Sequence, residues 1–362
     1  MKRFILLIAI LTLCASAQVK LEGAPEPAFV DAKLQRLSAS SGFEPTVTNL
    51  IAQHQAAAWI GYAVPIVNKP RLICCFDSMV RARTGCCSGC RLESRDGSFF
   101  DSTGGDCVRA EPPTHVIVMA RIEAGRVQKL RPYTPDCTLD AGGMSVIWLR
   151  DVKSGESIAW LEKLINAGER KIADGALQAL ALHSDAAADA VLERLLSAQQ
   201  PKKVRQEAAF WMAQTRGHKG FLVLQSLARE DADPKFREHL TFALTQSEDA
   251  GAIPELLRMA KHDVDSRVRS QALFWLAQEA SRQAAGAVSD AVENDPDSSV
   301  RRKAVFALTQ MPHDEGVPLL IKYARSHRDP AVRKEAIFWL GQTNDPRALD
   351  FIEELLTSDL KR

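Results

Sequence analysis

The chain has 362 residues, with 46 lysines and arginines against 45 aspartates and glutamates, a net charge of +1. That length suits two domains rather than one, and 46% hydrophobic with 25% charged residues excludes an intrinsically disordered chain. The balanced charge, the lack of a Lys/Arg-rich block and only three tyrosines argue against nucleic acid as the main partner.

The first residues read as a targeting signal. Lys2 and Arg3 are followed by an apolar run from Phe4 to Leu13 and by Ala15-Ser16-Ala17, a small-x-small cleavage site after Ala17. The run is too short to span a membrane, and no later stretch is long enough. The expected protein is therefore periplasmic or secreted and begins at Gln18. Cys14 follows Leu13, a poor match to the small residue a lipid-attachment site wants. Of the eight cysteines, seven lie beyond it: Cys74, Cys75, Cys86, Cys87, Cys90, Cys107 and Cys137. In an exported chain such a cluster points to disulfides, with one cysteine left over.

Residues 18–58 are rich in Ala, Ser, Pro and Glu and read as a linker that ends in a short helix around Pro45 to Ala58. Residues 59–150 read as a small, Cys-rich, mainly β domain. Trp59–Val67 and Arg71–Phe76 are short apolar runs; Val116–Ile122 and Val127–Leu130 flank Glu123-Ala124-Gly125, a hairpin signal; Ser145–Leu149 suits another strand. Arg81–Gly105, full of Gly, Ser, Asp and Cys, reads as a cross-linked loop.

From residue 151 onward the pattern is helical and periodic. Phe210, Phe242, Phe274, Phe306 and Phe338 are spaced by 32, as are Arg205, Arg237, Arg269, Arg301 and Arg333, and Gln214, Gln246, Gln278, Gln310 and Gln342. Three columns at one period mean stacked supersecondary units, none of which can bury its apolar face alone. In four units the second helix starts at an Asp (Asp233, Asp265, Asp297, Asp329), twice followed by Pro, the expected N-cap and first-turn pair. Counting back and forward gives six helix pairs and a capping helix, Pro346 to Thr357. The fold class is thus α+β: an all-α solenoid over residues 151–362, preceded by the mainly β domain.

The Val-Arg-x-x-Ala-x-x-x-Leu pattern after Asp-Pro resembles the short HEAT-like repeat first named from phycobilisome lyases. With the front domain and the phrase Asp136-Cys137 to Asp140-Ala141-Gly142-Gly143, the whole is similar to a family of exported bacterial HEAT-repeat proteins of unsettled function. The resemblance implies a fold, not an activity.

At 100° per residue, Val204, Ala208 and Met212 centre a core arc near about 65°; Arg205 falls inside it at about 100°, and Phe210 almost opposite at about 240°. The phenylalanines are then expected on the inner face, as an aromatic row edged by glutamine amides that can pair a peptide backbone. Two readings stand open for that row: packing between repeats, or a groove for a protein or extended peptide. In the next column, Trp211, Ala243, Trp275, Ala307 and Trp339 alternate large and small, which suits packing between units. The arginines are expected to tie each unit to the capping Asp of the next.

No G-x-S-x-G, P-loop or H-E-x-x-H occurs, and the eight histidines do not share the period. Deoxyhypusine hydroxylases use similar repeats but bind iron through His-Glu pairs, and this chain has no His-Glu dipeptide. No catalytic residue, metal or cofactor is expected. The first functional reading is an exported, non-enzymatic scaffold for a protein partner. The alternative is an envelope enzyme or a redox or metal protein acting through the cysteines, with Cys74, Cys75, Cys87 and Cys90 able to supply a four-thiolate zinc site. Neither reading fixes the oligomeric state.

Overall fold

A computed structural model describes residues 24–67, 90–93, 112–135, 137–278 and 282–359. The signal segment, the Arg71–Phe76 run and Cys74, Cys75, Cys86, Cys87 and Cys107 lie outside the described residues. The architecture is the α+β arrangement that the sequence pattern implies: a small mixed sheet region followed by a helical stack.

The sheet region contains β1 (Phe29–Val30), β2 (Lys33–Ser38), α1 (Phe43–Gln53), β3 (Ala58–Pro65), β4 (Cys90–Arg91), β5 (His115–Glu123), β6 (Arg126–Tyr133), β7 (Leu139–Asp140) and β8 (Ser145–Arg150). Its main sheet has the order β2-β8-β3-β5-β6, and β1, β7 and β4 form a smaller second sheet. The β5–β6 hairpin turns at Ala124 and Gly125, both at positive φ (49° and 71°), the two-residue geometry whose twist matches its strands. Residues 18–58 are not simply a linker: β1 and β2 are sheet strands, and the helix begins at Phe43 rather than Pro45. Strand β2 escapes a local reading because only Leu34 and Leu37 are apolar. What holds it is parallel backbone pairing with β8, from Lys33↔Ser145 to Ser38↔Arg150. Likewise, within the stretch read as a loop, Cys90 and Arg91 form β4, paired with β7.

One face of the main sheet packs on the second sheet around Trp59, Met119, Tyr133 and Trp148, with Cys90 and Cys137 buried there. The other face joins the helices in one continuous core. Phe43, Tyr62 and Trp160 meet edge to face across this joint. The buried Tyr62 hydroxyl lies 2.8 Å from Ser157 Oγ, itself 3.1 Å from His183 Nε2. Burial pushes the His183 imidazole down to about 4, so it is neutral there. Gly175 lets a helix close onto the sheet: a Cβ there would sit 2.0 Å from the Leu130 carbonyl oxygen.

The stack consists of paired helices α2 (Ser154–Asn166) and α3 (Arg170–Leu182), α4 (Ala186–Leu195) and α5 (Lys202–Thr215), α6 (Gly217–Glu230) and α7 (Pro234–Thr245), α8 (Ala252–His262) and α9 (Ser266–Gln278), α10 (Arg282–Asn294) and α11 (Ser298–Leu308), α12 (His313–Ser326) and α13 (Pro330–Leu340), closed by α14 (Pro346–Asp359). The second helices pack closely on one another, whereas the first helices touch their neighbours far less. That difference in spacing makes the second helices the inner, concave layer. The outer layer is stitched by ion pairs between consecutive first helices: Arg194–Glu162 (2.9 Å), Lys219–Asp189 (2.8 Å), Arg229–Glu255 (2.7 Å), Lys322–Glu293 (2.8 Å) and Arg325–Glu354 (2.7 Å). A further column of period 32, small residues at Ala188, Gly220, Ala252, Ala284, Gly316 and Ala348, is buried near the starts of α4, α6, α8, α10, α12 and α14. At Gly220 and Gly316 a Cβ would meet the carbonyl oxygens of Met212 and Leu308 at 2.4 and 2.2 Å, so the first helix abuts the end of the helix before it.

Candidate functional site

Four of the inner helices, α7, α9, α11 and α13, begin with the same hydrogen bond. Asp233, Asp297 and Asp329 accept from the backbone N–H two residues on, at 2.9, 2.8 and 2.9 Å, and Asp265 does the same to Arg267 at 2.9 Å. These carboxylates stabilise their own helix starts. They are not, with one exception, the partners of the arginine column, and here the structure corrects the sequence expectation. Arg237 pairs bidentately with Asp263 (2.9 and 2.9 Å) and Arg269 with Asp295 (2.8 and 2.9 Å). Arg205 pairs with Asp231. The acid therefore stands two residues before the cap, at the end of the preceding first helix. The column Asp231, Asp263, Asp295 shares the period of 32 with the caps. His327 occupies the fourth place, and Arg301 reaches the cap Asp329 instead, at 2.8 Å.

The same arginines hold their own unit. Arg237, Arg269, Arg301 and Arg333 donate through Nη1 to the carbonyls of Asp231, Asp263, Asp295 and His327 at 2.6, 2.9, 2.7 and 2.7 Å. Each of Arg237, Arg269 and Arg301 thus clamps two adjacent units. Arg205, Arg237 and Arg269 are buried, as the core-side angle requires. The Asp263 and Asp295 carboxylates raise their partner guanidinium pKa values further above the usual range.

The phenylalanine column occupies the opposite side of the same helices. Phe210, Phe242, Phe274 and Phe306 are half-buried, and Phe338 is 55% exposed. What half-covers them is one another. Phe210 stacks on Phe242 with ring centroids 5.9 Å apart and planes 10° apart; Phe274 stacks on Phe306 at 6.1 Å and 7°. Between these stacks Phe242 leans on Trp275 at 5.2 Å, and Phe306 on Trp339 at 4.8 Å. Trp275 and Trp339 in turn meet Phe274 and Phe338 edge to face, at 5.1 and 5.0 Å. The Trp/Ala alternation sets this order. Where the following residue of the next unit is Ala243 or Ala307, the two phenyl rings lie flat together. Where it is Trp275 or Trp339, the indole takes that space. The result is an unbroken aromatic ladder along the inner face, with one edge open. Trp275 Nε1 is buried along it with no hydrogen-bond partner among the described residues.

The glutamines do not form a continuous amide row. Gln214 donates to Gln246 at 3.0 Å, linking two units. Gln246 and Gln310 donate to the preceding Thr245 and Thr309. Gln278, Gln310 and Gln342 are exposed. Two cavities adjoin the ladder. One, of about 450 Å³, lies beside Phe242 near the starts of α5, α7 and α9, between Lys202, Lys235 and Arg267. The other, of about 330 Å³, lies beside Phe306 and Trp339 near the ends of α11 and α13, and includes Gln310 and Gln342.

The HEAT-repeat family matches residues 188–277 and 285–362. These are HEAT repeats. No curated protein matches the sequence. Among solved structures, human deoxyhypusine hydroxylase in complex with glycerol is 19% identical over 55% of this chain and 77% of that chain, with a TM-score of 0.25. The Escherichia coli protein YibA is 24% identical over 46% of this chain and 64% of that chain, with a TM-score of 0.33. The complex of CpcE and CpcF of phycocyanin lyase from Nostoc sp. is 20% identical over 53% of this chain and 77% of that chain, with a TM-score of 0.29. None of these activities is carried over to the HEAT repeats of this chain. Among the described residues, no group of three or more His, Cys, Asp or Glu side chains is placed to hold a metal ion, and no helix is long and apolar enough to cross a membrane. Of the four cysteines able to supply a zinc site, only Cys90 is described.

Proposed function

We propose that this chain is an exported, non-enzymatic scaffold whose HEAT repeats hold an extended segment of a partner protein along their inner face. HEAT-repeat proteins generally act as protein-interaction scaffolds, which fits. The observation that carries the reading here is the open-edged aromatic ladder. Packing alone explains why the rings stack, but it does not require five phenylalanines to leave an edge at the surface in five successive units, with a ring 55% exposed at the last. Each ring edge offers a slot for one partner side chain, and the exposed amides of Gln278, Gln310 and Gln342 offer pairing groups for its backbone. Export is supported by the Lys2-Arg3, Phe4–Leu13 and Ala15-Ser16-Ala17 succession, and the cluster of seven cysteines from Cys74 to Cys137 suits an oxidising compartment.

The test uses a photo-crosslinking residue at the exposed Gln278 or Gln310 in the full chain, expressed with its leader and irradiated in cells. The expected result is one crosslinked protein, joined through a single short stretch, and lost when Phe274 and Phe306 are both changed to Ala in a variant that still folds by circular dichroism. Crosslinks that persist in that variant would remove the ladder as the docking surface. Retention of the protein inside the cytoplasm would remove the export reading.

A further inference from the structure

The charges around the ladder distinguish the inner face from the outer one. On the outer layer, cations of the first helices are matched by carboxylates of the neighbouring first helix, through the ion pairs already described. The inner layer is not treated this way. On the helical wheel, the positions seven and three residues before and four after a given Phe lie within about 60° of it, and the first two of these sets, with the neighbouring column, carry Lys203, Lys235, Arg267, Arg302, Lys303 and Lys334. All six are exposed. Of the six, only Arg267 makes an ion pair among the described residues, with Asp265 at 2.9 Å.

The carboxylates in the same columns are fewer and partly committed. Glu335 accepts from the Trp339 indole N–H at 2.9 Å. Glu207 is half-buried, and burial raises its pKa, so that corner is a poor place for charge. Glu238 lines the cavity beside Phe242, together with Lys202, Lys235 and Arg267. His239 in that cavity adds no cation at neutral pH, since burial lowers its pKa. The inner face therefore carries an excess of positive charge that the fold itself leaves unmatched, running alongside the aromatic ladder.

Resting on the scaffold reading above, we propose that the segment held by the HEAT repeats is acidic: an extended peptide whose carboxylates meet this basic row while its apolar side chains meet the rings. The geometry also sets a spacing. Adjacent inner helices are about 10 Å apart, and an extended chain rises about 3.3 Å per residue, so acidic residues recur about every third position. Crossing from α5 to α13 takes about a dozen residues by the same arithmetic. The cavity beside Phe306 and Trp339, with Leu308, Met311 and Leu320 among its lining, takes a large side chain toward one end of that segment.

The proposal is tested by selecting an unbiased phage-displayed library of 12-residue peptides on the full-length protein, with Lys203→Glu/Lys235→Glu and Phe274→Ala/Phe306→Ala variants in parallel. The expected outcome is enrichment of Asp or Glu at three-residue intervals among apolar positions. Synthetic peptides of that kind should bind at least about tenfold more weakly to the charge-reversed variant, a loss of about 1.4 kcal/mol, and several-fold more weakly as salt rises from low to high concentration. Peptides that depend on the phenylalanines but show no acidic enrichment would overturn this inference and leave the scaffold reading standing. The absence of any phenylalanine-dependent peptide would take both down. A fluorescent oligothymidylate that competes for this face more tightly than the acidic peptides would instead assign the basic row to nucleic acid and overturn the inference.

Discussion

The arginine and phenylalanine columns have the same period, the same helices and the same number of copies, yet they lie in regions of opposite character. The arginine side is the seam between units. There a guanidinium on one unit binds a carboxylate on the next and a carbonyl on its own, and Arg205, Arg237 and Arg269 do so out of contact with water. The phenylalanine side is the groove. There the rings cover one another but leave an edge to solvent, and the flanking lysines make no ion pair among the described residues. Strict repetition therefore says only that a residue does something once per unit. Whether that something is closing the seam or facing a partner depends on what the neighbouring unit places against it.

The largest effect should come from breaking the seam. Arg237→Ala leaves the Asp263 carboxylate buried without its cation, and removal of one partner of such a pair costs about 3–5 kcal/mol. A urea titration of wild type and variant measures it, and a loss under 1 kcal/mol would mean that the clamp is not what joins these units. The joint between sheet and stack is a seam of the same kind. Gly175→Ala pushes a methyl group into the Leu130 carbonyl and should cost about 1–3 kcal/mol by overpacking, read in the same titration.

The groove should respond much less. Phe274→Ala removes one flat stack and one edge contact, each aromatic pair being worth about 0.5–1.5 kcal/mol. Phe338→Ala, at the exposed end of the ladder, loses a single edge contact with Trp339 and should cost no more than about 1 kcal/mol. If Phe338→Ala destabilises as much as Arg237→Ala, the distinction between seam and groove fails. The smallest effect concerns a cap. The Arg267 guanidinium beside Asp265 holds its carboxyl down to about 2, below the roughly 3.9 of an unfolded aspartate. Its contribution is therefore complete above about pH 4 and lost as pH falls through about 2. The difference in melting temperature between wild type and Asp265→Asn should be present at pH 5 and vanish by pH 2.

Much of this was legible beforehand, and the reasons are local. Periodicity gave the helix pairs, because each unit must repeat the residues that bury its own apolar stripe. Helical angle gave the buried arginines, and a two-residue turn gave the β5–β6 hairpin. Strand β2 was missed because Lys33 to Ser38 has almost no apolar pattern; it exists through pairing with β8, more than a hundred residues later in the chain. The acid partners of the arginines were missed for a related reason. Asp231 and Asp233 are equally plausible by spacing, and only the packed position of the next unit turns one toward Arg205 and the other toward its own helix.

By itself, then, the sequence determined the class of the protein, the repeat, the register of its inner helices and the side on which each column starts, because all of these follow from one helical turn and one period. The tertiary structure decided which carboxylate closes each seam, how the rings divide into stacked pairs and Trp-spaced gaps, and which lysines stay unmatched. Those outcomes depend on distances of a few ångströms between side chains of different units, which no spacing along a single chain encodes.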